Sequence, residues 1–226
     1  MTTLHVLRVF VGPDGRGGNP LGVFVDGGAI APERRQAVAA RLGFSETVFV
    51  DDPDTGAMRI FTPAAELAFA GHPTVGTAWL LRESGRPVAA LHPPAGEVAC
   101  RHDGERTWVR ARPEWTHDHE RRRLPAVSDV ESFVGPRLGD RGVYVWAWID
   151  EDAGILRSRY FATDYGIVED EATGAAAVAM GGELRRDLTI RQGVGSEILA
   201  RPQPDGSVEI GGRVEMVETR NDPGGQ

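Results

Sequence analysis

The stretch "FAGHPTVGTA" (residues 69–78) places a Gly-His-Pro turn directly before an apolar sequence that is typical of a helix. A second stretch, "VEDEATGAAA" (residues 168–177), also leads from a loop into a helix of small residues. Aligned without a gap and with Gly71 opposite Glu169, the two stretches match Gly76 with Gly174. Because a strand, a loop and a small-residue helix follow one another in both places, the sequence indicates an internal duplication.

A duplication of this kind predicts two lobes whose helix N-termini face one cleft. Each helix N-terminus offers backbone N–H groups without intrahelical partners and a partial positive charge, which together suit a carboxylate. The same alignment matches His72 with Asp170, so we expect these side chains to lie opposite one another at the mouth of the cleft. The pair predicts proton chemistry next to a bound acid, whereas His72 taken alone indicates only a helix cap.

Glu46 is the third candidate for this site. A strand beginning at Phe44 places residues 44, 46, 48 and 50 on one face, and these are Phe, Glu, Val and Val. Apolar neighbours raise the pKa of a carboxyl group by desolvation, so that such a glutamate can take and return a proton near neutral pH. The pattern alone also permits an edge-strand glutamate that reaches solvent.

Composition excludes several classes of protein. The net charge of the 226 residues is −8, and no basic block is present, so nucleic acid and anionic membranes are poor partners. No apolar stretch is long enough to span a bilayer, and the N-terminus is typical of a strand and has no features of a signal peptide. These features, with Cys100 as the single cysteine, predict a cytoplasmic protein.

The amino-acid composition excludes two common mechanisms for reactions next to an amino group. One cysteine cannot form the pair of thiols that a two-cysteine racemase uses. All 25 basic residues are arginine, and a pyridoxal-phosphate Schiff base requires a lysine amine.

Periodicity and turn residues predict a chain of many short strands and three helices. The predicted helices cover 32–42, 69–85 and about 173–186, and the predicted strands cover 4–10, 21–27, 44–50, 57–63, 88–92, 96–101, 106–111, 142–149, 154–162, 188–192, 196–202 and 207–217. The Gly-rich segment "VGPDGRGGNP" favours a hairpin loop over a phosphate cradle, because no helix follows it.

The charged segment 112–124 predicts the boundary between an N-terminal lobe of residues 1–112 and a C-terminal lobe of residues 113–226. We interpret its arginine run, residues 121–123, as a solvated linker. His117 and His119 flank an aspartate as a metal-binding pair would, but the same linker interpretation is favoured there too.

The sequence resembles the phenazine-biosynthesis PhzF-like family, which shares the diaminopimelate epimerase fold. The resemblance rests on "GGNPLGVFVDG" (17–27), "GFSETVFV" (43–50), "RIFTPAAELAFAGHPTVGTAWLL" (59–81) and "GIVEDEATGAAA" (166–177), with "RQG" and "VEIGG" in the C-terminal strands. It implies an α+β fold of two pseudo-symmetric lobes, each a curled and mostly antiparallel sheet around a central helix. The second lobe is expected to be shortened, because the middle of this chain is shorter than in typical relatives.

The resemblance also implies an activity and a site. Family members isomerise trans-2,3-dihydro-3-hydroxyanthranilate without a cofactor or a metal, using a glutamate that moves a proton between ring carbons. By motif the catalytic residues would be Glu46, His72 and Asp170, and the substrate-binding residues would be Asn19, Gly71, Thr173, Gly174 and Ala175. The expected partners are a small carboxylate substrate and a second copy of the chain in a homodimer.

Two residues depart from the family's motif before the second helix. Glu171 stands where the motif has proline, and Ala175 stands where it has serine. The lost hydroxyl removes one hydrogen bond to a substrate carboxylate, which backbone N–H groups could replace. A non-catalytic member that binds a small molecule therefore stays open as an alternative, and an amino-acid epimerase is less favoured.

Overall fold

The computed structural model describes residues 2–116 and 119–222. In these residues the strands are β1 (Thr2–Val11), β2 (Gly17–Phe24), β3 (Glu46–Asp52), β4 (Ala57–Phe61), β5 (Glu66–Leu67), β6 (Ala90–Leu91), β7 (Val98–Asp103), β8 (Arg106–Ala111), β9 (Glu120–Arg123), β10 (Val143–Asp150), β11 (Ile155–Phe161), β12 (Leu188–Gln192), β13 (Ser196–Pro202) and β14 (Val208–Asp222). The α-helices are α1 (Pro32–Leu42), α2 (Gly71–Glu83), α3 (Val127–Ser132) and α4 (Gly174–Leu184).

Apart from the two-residue β5 between β4 and α2, the same order of elements occurs twice along the chain, first as β2-α1-β3-β4-α2-β6-β7-β8 and then as β9-α3-β10-β11-α4-β12-β13-β14. In both series the first two strands pair in parallel and the next pair is antiparallel. The chain after the long helix then runs parallel to the second strand of this antiparallel pair, through an isolated Ala57–His92 bridge next to β6 in the first series and a β11–β12 ladder in the second. The final two pairs are antiparallel in both. The predicted α+β fold of two pseudo-symmetric lobes is confirmed.

The first strand and the first helix of the second series are shorter than their counterparts in the first series. Helix α3 has 6 residues where α1 has 11, and β9 has 4 residues where β2 has 8. Strand β14 joins the two series, because its first residues pair with β8 and β13 and its later residues pair with β1. The division between residues 112 and 113 stays a prediction, and the C-terminal strand contributes to the sheets of both halves.

The predicted helix 32–42 is confirmed residue for residue. Pro32 is its first residue, and Gly43 ends it in the left-handed conformation with a φ of 71°. The linker interpretation of residues 121–123 is wrong. They lie in β9, which pairs in parallel with β10, and all three arginines form ion pairs with neighbouring glutamates. A strand of four charged residues lacks the apolar alternation by which strands are recognised.

Helix α2 lies within the main hydrophobic cluster, which explains its content of small residues. Ten of its 13 residues are buried, and it packs against β8, β1 and β14. A Cβ atom added at Gly76 would lie 2.5 Å from Leu21 Cδ2, so glycine allows the helix to approach the sheet. The same cluster includes residues of α4, and the two helices therefore share one core.

The duplication is real, but its predicted register is wrong. Helix α2 begins at Gly71 and α4 begins at Gly174, and these two residues touch: a Cβ atom added at Gly71 would lie 2.7 Å from the Gly174 backbone. The equivalent of Gly174 is therefore Gly71 and not Gly76. The gapless alignment matched two helical glycines, although Gly76 serves helix–sheet packing and Gly174 serves the junction of the helices.

Candidate active site

The site begins at the junction of the two helix N-termini. Neither α2 nor α4 has a side-chain hydrogen bond at its N-cap, so the first N–H groups of both helices suit a bound anion. The residues that follow the two touching glycines are His72 and Ala175, which are therefore the equivalent pair. Asp170 lies in the loop before α4 and not at the position equivalent to His72.

Glu46 is the first residue of β3. Val48 and Val50, on the same face of the strand, belong to the cluster that surrounds α2, as the alternation predicted. Phe44 was expected on this face and is not: it precedes the strand and packs against the cluster around α1. Only 16% of the Glu46 side chain is exposed to solvent. The alternative of an edge-strand glutamate that reaches solvent is therefore wrong.

Glu46 and His72 face one another across a short gap. Glu46 Oε2 lies 3.5 Å from His72 Nε2, and neither atom has a hydrogen-bond partner among the described residues. The His72 side chain is 4% exposed and hydrogen-bonds the backbone of Pro20. Proline has no N–H, so the imidazole donates to the Pro20 carbonyl, and its Nε2 faces Glu46 as an acceptor.

Burial moves the pKa values of these two groups in opposite directions. Burial raises the pKa of Glu46 to about 7, although a hydrogen bond from Ser45 favours the ionised form and opposes the rise. Burial lowers the pKa of His72 to about 4, although the negative charge of Asp170 and the hydrogen bond to Pro20 both oppose the fall. Near neutral pH, His72 is therefore neutral and Glu46 exchanges its proton readily.

Asp170 is held by two neighbours. Asn19 Nδ2 donates to Asp170 Oδ1 at 2.8 Å and to the Ala172 carbonyl at 2.9 Å, and the Thr173 hydroxyl donates to Asp170 Oδ2. Burial and the nearby Glu46 raise the pKa of Asp170 to about 6, although His72 and both hydrogen bonds oppose the rise. Because each carboxylate disfavours ionisation of the other, the two groups titrate as a pair.

Gln192 orients this loop, and the sequence analysis assigned it no role. Its Nε2 donates to the Asp170 carbonyl at 2.9 Å and to Thr173 Oγ1 at 2.8 Å, and its Oε1 accepts from the Thr173 N–H at 3.3 Å. Since Thr173 Oγ1 accepts from Gln192, its own proton is directed to Asp170. The side chain of Gln192, at the end of β12, therefore fixes the direction of the hydrogen bond that Asp170 receives.

We expect Gln192→Leu to lower the free energy of unfolding by about 1–3 kcal/mol, because it leaves buried acceptors and a donor without partners. Denaturant unfolding monitored by circular dichroism measures the change. The matched control is Gln203→Leu, since Gln203 is half-buried and its side-chain amide donates to the Arg201 carbonyl, outside the loop of Asp170 and Thr173. Equal losses in the two variants would contradict a special role for Gln192.

Glu171, which replaces the family's proline, fixes the same loop from another side. Its carboxylate accepts hydrogen bonds from the Val194 N–H at 3.0 Å and from Ser196 Oγ at 2.7 Å. Ser196 Oγ in turn accepts from the Gly18 N–H at 2.8 Å, beside Asn19. The substitution therefore links the loop before α4 to the strand that carries Asn19.

The site opens into a small cavity of about 80 Å³. Its lining comprises four of the predicted site residues together with aromatic and aliphatic side chains: Glu46, Thr62, Leu67, Phe69, Ala70, His119, Tyr160, Ala162, Tyr165, Ile167, Asp170, Thr173 and Ala175. The buried Asn19 and His72 adjoin it through Asp170 and Glu46. All eight predicted site residues therefore lie in one region, and their roles stay predictions.

His119 is a cavity residue that the sequence analysis placed in a solvated linker. That placement is wrong, because His119 is buried and its ring contacts Tyr144 and Tyr160. His117 and Asp118 lie outside the described residues. Within the described residues, no group of three His, Cys, Asp or Glu side chains is arranged to hold a metal. No helix in that part of the chain is long and apolar enough to cross a membrane.

Comparison with known proteins identifies the family. A family model described as phenazine biosynthesis-like protein matches residues 11–113. The trans-2,3-dihydro-3-hydroxyanthranilate isomerase of Pseudomonas aeruginosa is 33% identical, over 86% of this chain and 82% of that protein. The chain belongs to the PhzF family. The enzyme of the same name from Pseudomonas fluorescens is 32% identical over the same shares, so this PhzF-family chain is an isomerase at the level of its family.

Solved structures of PhzF-family proteins show the same fold. A phenazine biosynthesis protein of this family from Enterococcus faecalis superposes with a TM-score of 0.79 at 23% identity, covering 96% of this chain and 97% of that one. A probable proline racemase from Agrobacterium radiobacter superposes with a TM-score of 0.64 at 13% identity, over 98% and 93% of the two chains. The PhzF fold is thus shared with a protein described as a racemase.

The raised pKa of Glu46 in this PhzF-family chain predicts a pH-dependent change in stability. The folded chain holds the Glu46 proton more tightly than the unfolded chain does. The stability from this group is therefore fully present below its ordinary pKa and is lost as pH rises through about 7. Thermal unfolding should show Glu46→Gln gaining stability over the wild type as pH rises from 4 to 8. Ala175→Ser adds no ionisable group near neutral pH, and its difference should stay constant; a constant difference for Glu46→Gln would contradict the prediction.

Proposed function

We propose that the chain is a cofactor-independent isomerase that moves a proton between carbons of a small cyclic carboxylic acid similar to trans-2,3-dihydro-3-hydroxyanthranilate. One observation carries the proposal: a largely buried glutamate with a pKa raised to about 7 lines the cavity, and its Oε2 lies 3.5 Å from the Nε2 of a neutral histidine. A group with this pKa can both remove a proton and return it. The names of the Pseudomonas relatives support the substrate class.

The proposed reaction needs one proton carrier. Ionised Glu46 takes a proton from one ring carbon, and the electron pair of that C–H bond becomes part of a shifted double bond. Protonated Glu46 then delivers the proton to another carbon of the same ring, and the resulting enol becomes a ketone. Between the two steps, neutral His72 accepts a hydrogen bond from the Glu46 hydroxyl through Nε2. The atoms of substrate and product are the same, so no oxidant or reductant is required.

The substrate carboxylate would bind where the two helices meet. Backbone N–H groups after Gly71 and Gly174 offer donors there, and both helix dipoles favour a negative charge. Ala175 lines the cavity without a hydroxyl, so backbone N–H groups would supply the contacts, and Thr173 would hold the loop beside them through its hydrogen bonds to Asp170 and Gln192. Asp170, fixed by Asn19 and Thr173, would orient the polar groups of the substrate and favour the protonated state of Glu46 after the first step.

The two halves of the chain contribute unequally to the proposed chemistry. Strand pairing matches Glu46, opposite Leu21 in the first series, with Val143, opposite Glu120 in the second. The helix junction matches His72 with Ala175. The proposed proton carrier Glu46 and its partner His72 therefore come from the first half, and Asp170 of the second half would orient the substrate beside them.

Turnover in deuterated water tests the proposal. Purified protein is mixed with trans-2,3-dihydro-3-hydroxyanthranilate, conversion is followed by ultraviolet absorbance, and the ring carbons are examined for deuterium by mass spectrometry. We expect conversion, with deuterium entering the ring as Glu46 exchanges its proton with solvent. Binding without conversion or exchange would contradict an isomerase of this substrate and favour a non-catalytic binding protein.

We also propose that the chain acts as a homodimer in the cytoplasm, as the family resemblance implies. Light scattering during size-exclusion chromatography should give twice the mass of one chain. A monomer mass at micromolar concentration would contradict the homodimer.

A further inference from the structure

Glu171 is a half-buried carboxylate that has no part in the proposed proton transfer. Both of its oxygens lie 3.0 Å from the Val194 N–H, and Oε1 also accepts from the Ser196 hydroxyl at 2.7 Å. Among the described residues, no arginine or histidine forms an ion pair with it. Hydrogen bonds to an ionised acceptor are about twice as strong as neutral ones. The position of Glu171 is therefore set by these two neutral donors.

The turn between β12 and β13 is shaped around this carboxylate. Gly193 has a φ of 59°, and a Cβ atom added there would collide with Glu171 Oε2 and lie 2.5 Å from the Glu171 carbonyl oxygen. Ser196, the first residue of β13, is 1% exposed. Because a carboxylate can only accept, Ser196 donates its one hydroxyl proton to Glu171. Its oxygen is then left to accept from the Gly18 N–H at 2.8 Å.

These hydrogen bonds close a ring that passes through Asp170. Asn19, which follows Gly18 in β2, donates to Asp170 Oδ1 at 2.8 Å. The members of the ring, in order, are Asp170, Asn19, Gly18, Ser196 and Glu171, and the peptide bond between Glu171 and Asp170 completes it. The ring joins β2, β13 and the loop before α4, so the loop cannot shift without breaking a hydrogen bond of a buried group.

We propose that Glu171 is a positioning residue that holds Asp170 beside Glu46 through this ring. The inference rests on the proposed function, in which Asp170 orients the substrate next to Glu46. Proline, which the family's motif has at this position, offers no side-chain acceptor to the Val194 N–H or to the Ser196 hydroxyl. The role of Glu171 therefore belongs to this chain and not to the motif.

Carbon-13 NMR titration of the side-chain carboxyl groups tests the inference without turnover. Burial raises the pKa of Asp170 to about 6 in the folded wild type. The other titratable groups that face Asp170 or line its cavity are Glu46, His72, His119, Tyr160 and Tyr165. We expect Ser196→Ala to lower the pKa of Asp170 by about 1, because the released loop exposes the carboxyl group to water. This variant opens the ring without removing a charge.

Three further variants complete the titration. Glu171→Ala should lower the pKa of Asp170 at least as far as Ser196→Ala does. Glu171→Gln keeps the shape and one oxygen acceptor, so its value should lie between those of Glu171→Ala and the wild type. Glu169→Gln is the control for lost charge, since Glu169 precedes Asp170 and pairs with Arg159 outside the ring. It should change the pKa of Asp170 by less than about 0.5.

Kinetics and binding separate positioning from substrate binding. Ser196→Ala and Glu171→Ala should lower kcat for trans-2,3-dihydro-3-hydroxyanthranilate by about 10-fold, because small displacements of positioned groups are costly in rate. Titration calorimetry with 2-aminobenzoate, a stable aromatic acid, should give affinities within about 2-fold of the wild type. The carboxylate site is held separately, by the contact of Gly174 with Gly71. Circular dichroism verifies that each variant is folded.

The outcomes distinguish the position of Asp170 from the activity. An unchanged pKa of Asp170 in the folded Ser196→Ala and Glu171→Ala variants would overturn the inference, and so would an ordinary pKa of Asp170 in the wild type. An equal fall in Glu169→Gln would assign the change to lost charge and overturn it as well. A wild type with the raised pKa but without conversion would contradict the proposed function, while the titration would still decide whether Glu171 holds Asp170.

Discussion

Glu46→Gln is expected to reduce turnover of the cyclic acid by about 10³-fold, the typical contribution of a positioned acid–base group. Glutamine has nearly the same shape, but its amide cannot take a proton from carbon. Because the carboxylate of the substrate binds at the helix junction, the affinity of the variant for 2-aminobenzoate should stay within about 2-fold of the wild type. Steady-state kinetics and titration calorimetry measure the two quantities.

Glu66→Gln is the matched control for this loss. Glu66 lies on β5 and forms an ion pair with Arg59, so its substitution removes a carboxylate near the site without touching the cavity. Its turnover should equal that of the wild type. The rate of the wild type should rise with pH through about 7, as Glu46 ionises to become a base. Full activity in Glu46→Gln would exclude the proposed mechanism.

Gly174→Ala is expected to lower the free energy of unfolding by about 3 kcal/mol, at the upper end of the usual cost of overpacking. A Cβ atom at this position would lie 2.8 Å from the Cα and C atoms of Gly71 and from the N atom of His72. These are backbone atoms of another helix, and they cannot move without displacing α2. Elsewhere in a helix the same substitution stabilises by about 1 kcal/mol, so the predicted sign is opposite to that of helix propensity.

Gly85→Ala is the control that distinguishes the cost of a steric clash from the cost of backbone strain. Gly85 has a φ of 76°, and no atom lies within 4 Å of an added Cβ. Its substitution should cost only the 1–2 kcal/mol or so of the left-handed conformation. Denaturant unfolding measures both variants. A Gly174→Ala variant that is as stable as the wild type would contradict the close contact of the two helices, and with it the shared anion site.

Local chemistry made part of the site predictable. Proline and glycine mark the ends of α1, and alternation places Glu46 on the face of Val48 and Val50, where burial raises its pKa. The helix predicted over 69–85 is α2, which begins at Gly71, so the predicted Gly-His-Pro turn forms the first residues of the helix. Each of these signals lies within a few residues of the feature that it predicts.

The register of the duplication depends on contacts that are distant in sequence. Gly71 and Gly174 are equivalent because their backbones touch across the helix junction, and no local pattern distinguishes them from Gly76. The pairing of β9 with β10 is likewise a long-range contact, and the strand itself is charged. Alternation, which depends on one apolar face, could not reveal it.

His119 and Gln192 were missed for the same physical reason. Each is a single polar residue whose importance comes from its partners: two tyrosines in one case, and the loop of Asp170 and Thr173 in the other. Those partners lie between 19 and 41 residues away in sequence. Polar residues in charged or alternating segments are usually solvated, and only the folded structure shows which of them are buried.

The place of β14 between strands of both halves has a consequence for the speed of folding. Its pairing with β1 joins Thr2 to Asp222, so one of the largest ladders of the fold closes a loop of more than 200 residues. Proteins with such high contact order fold slowly, because chain entropy is lost before the distant strands stabilise one another. We therefore expect the strand pairing of both halves to stay incomplete until β14 pairs, and stopped-flow refolding to give a slow final phase in which the two halves form together.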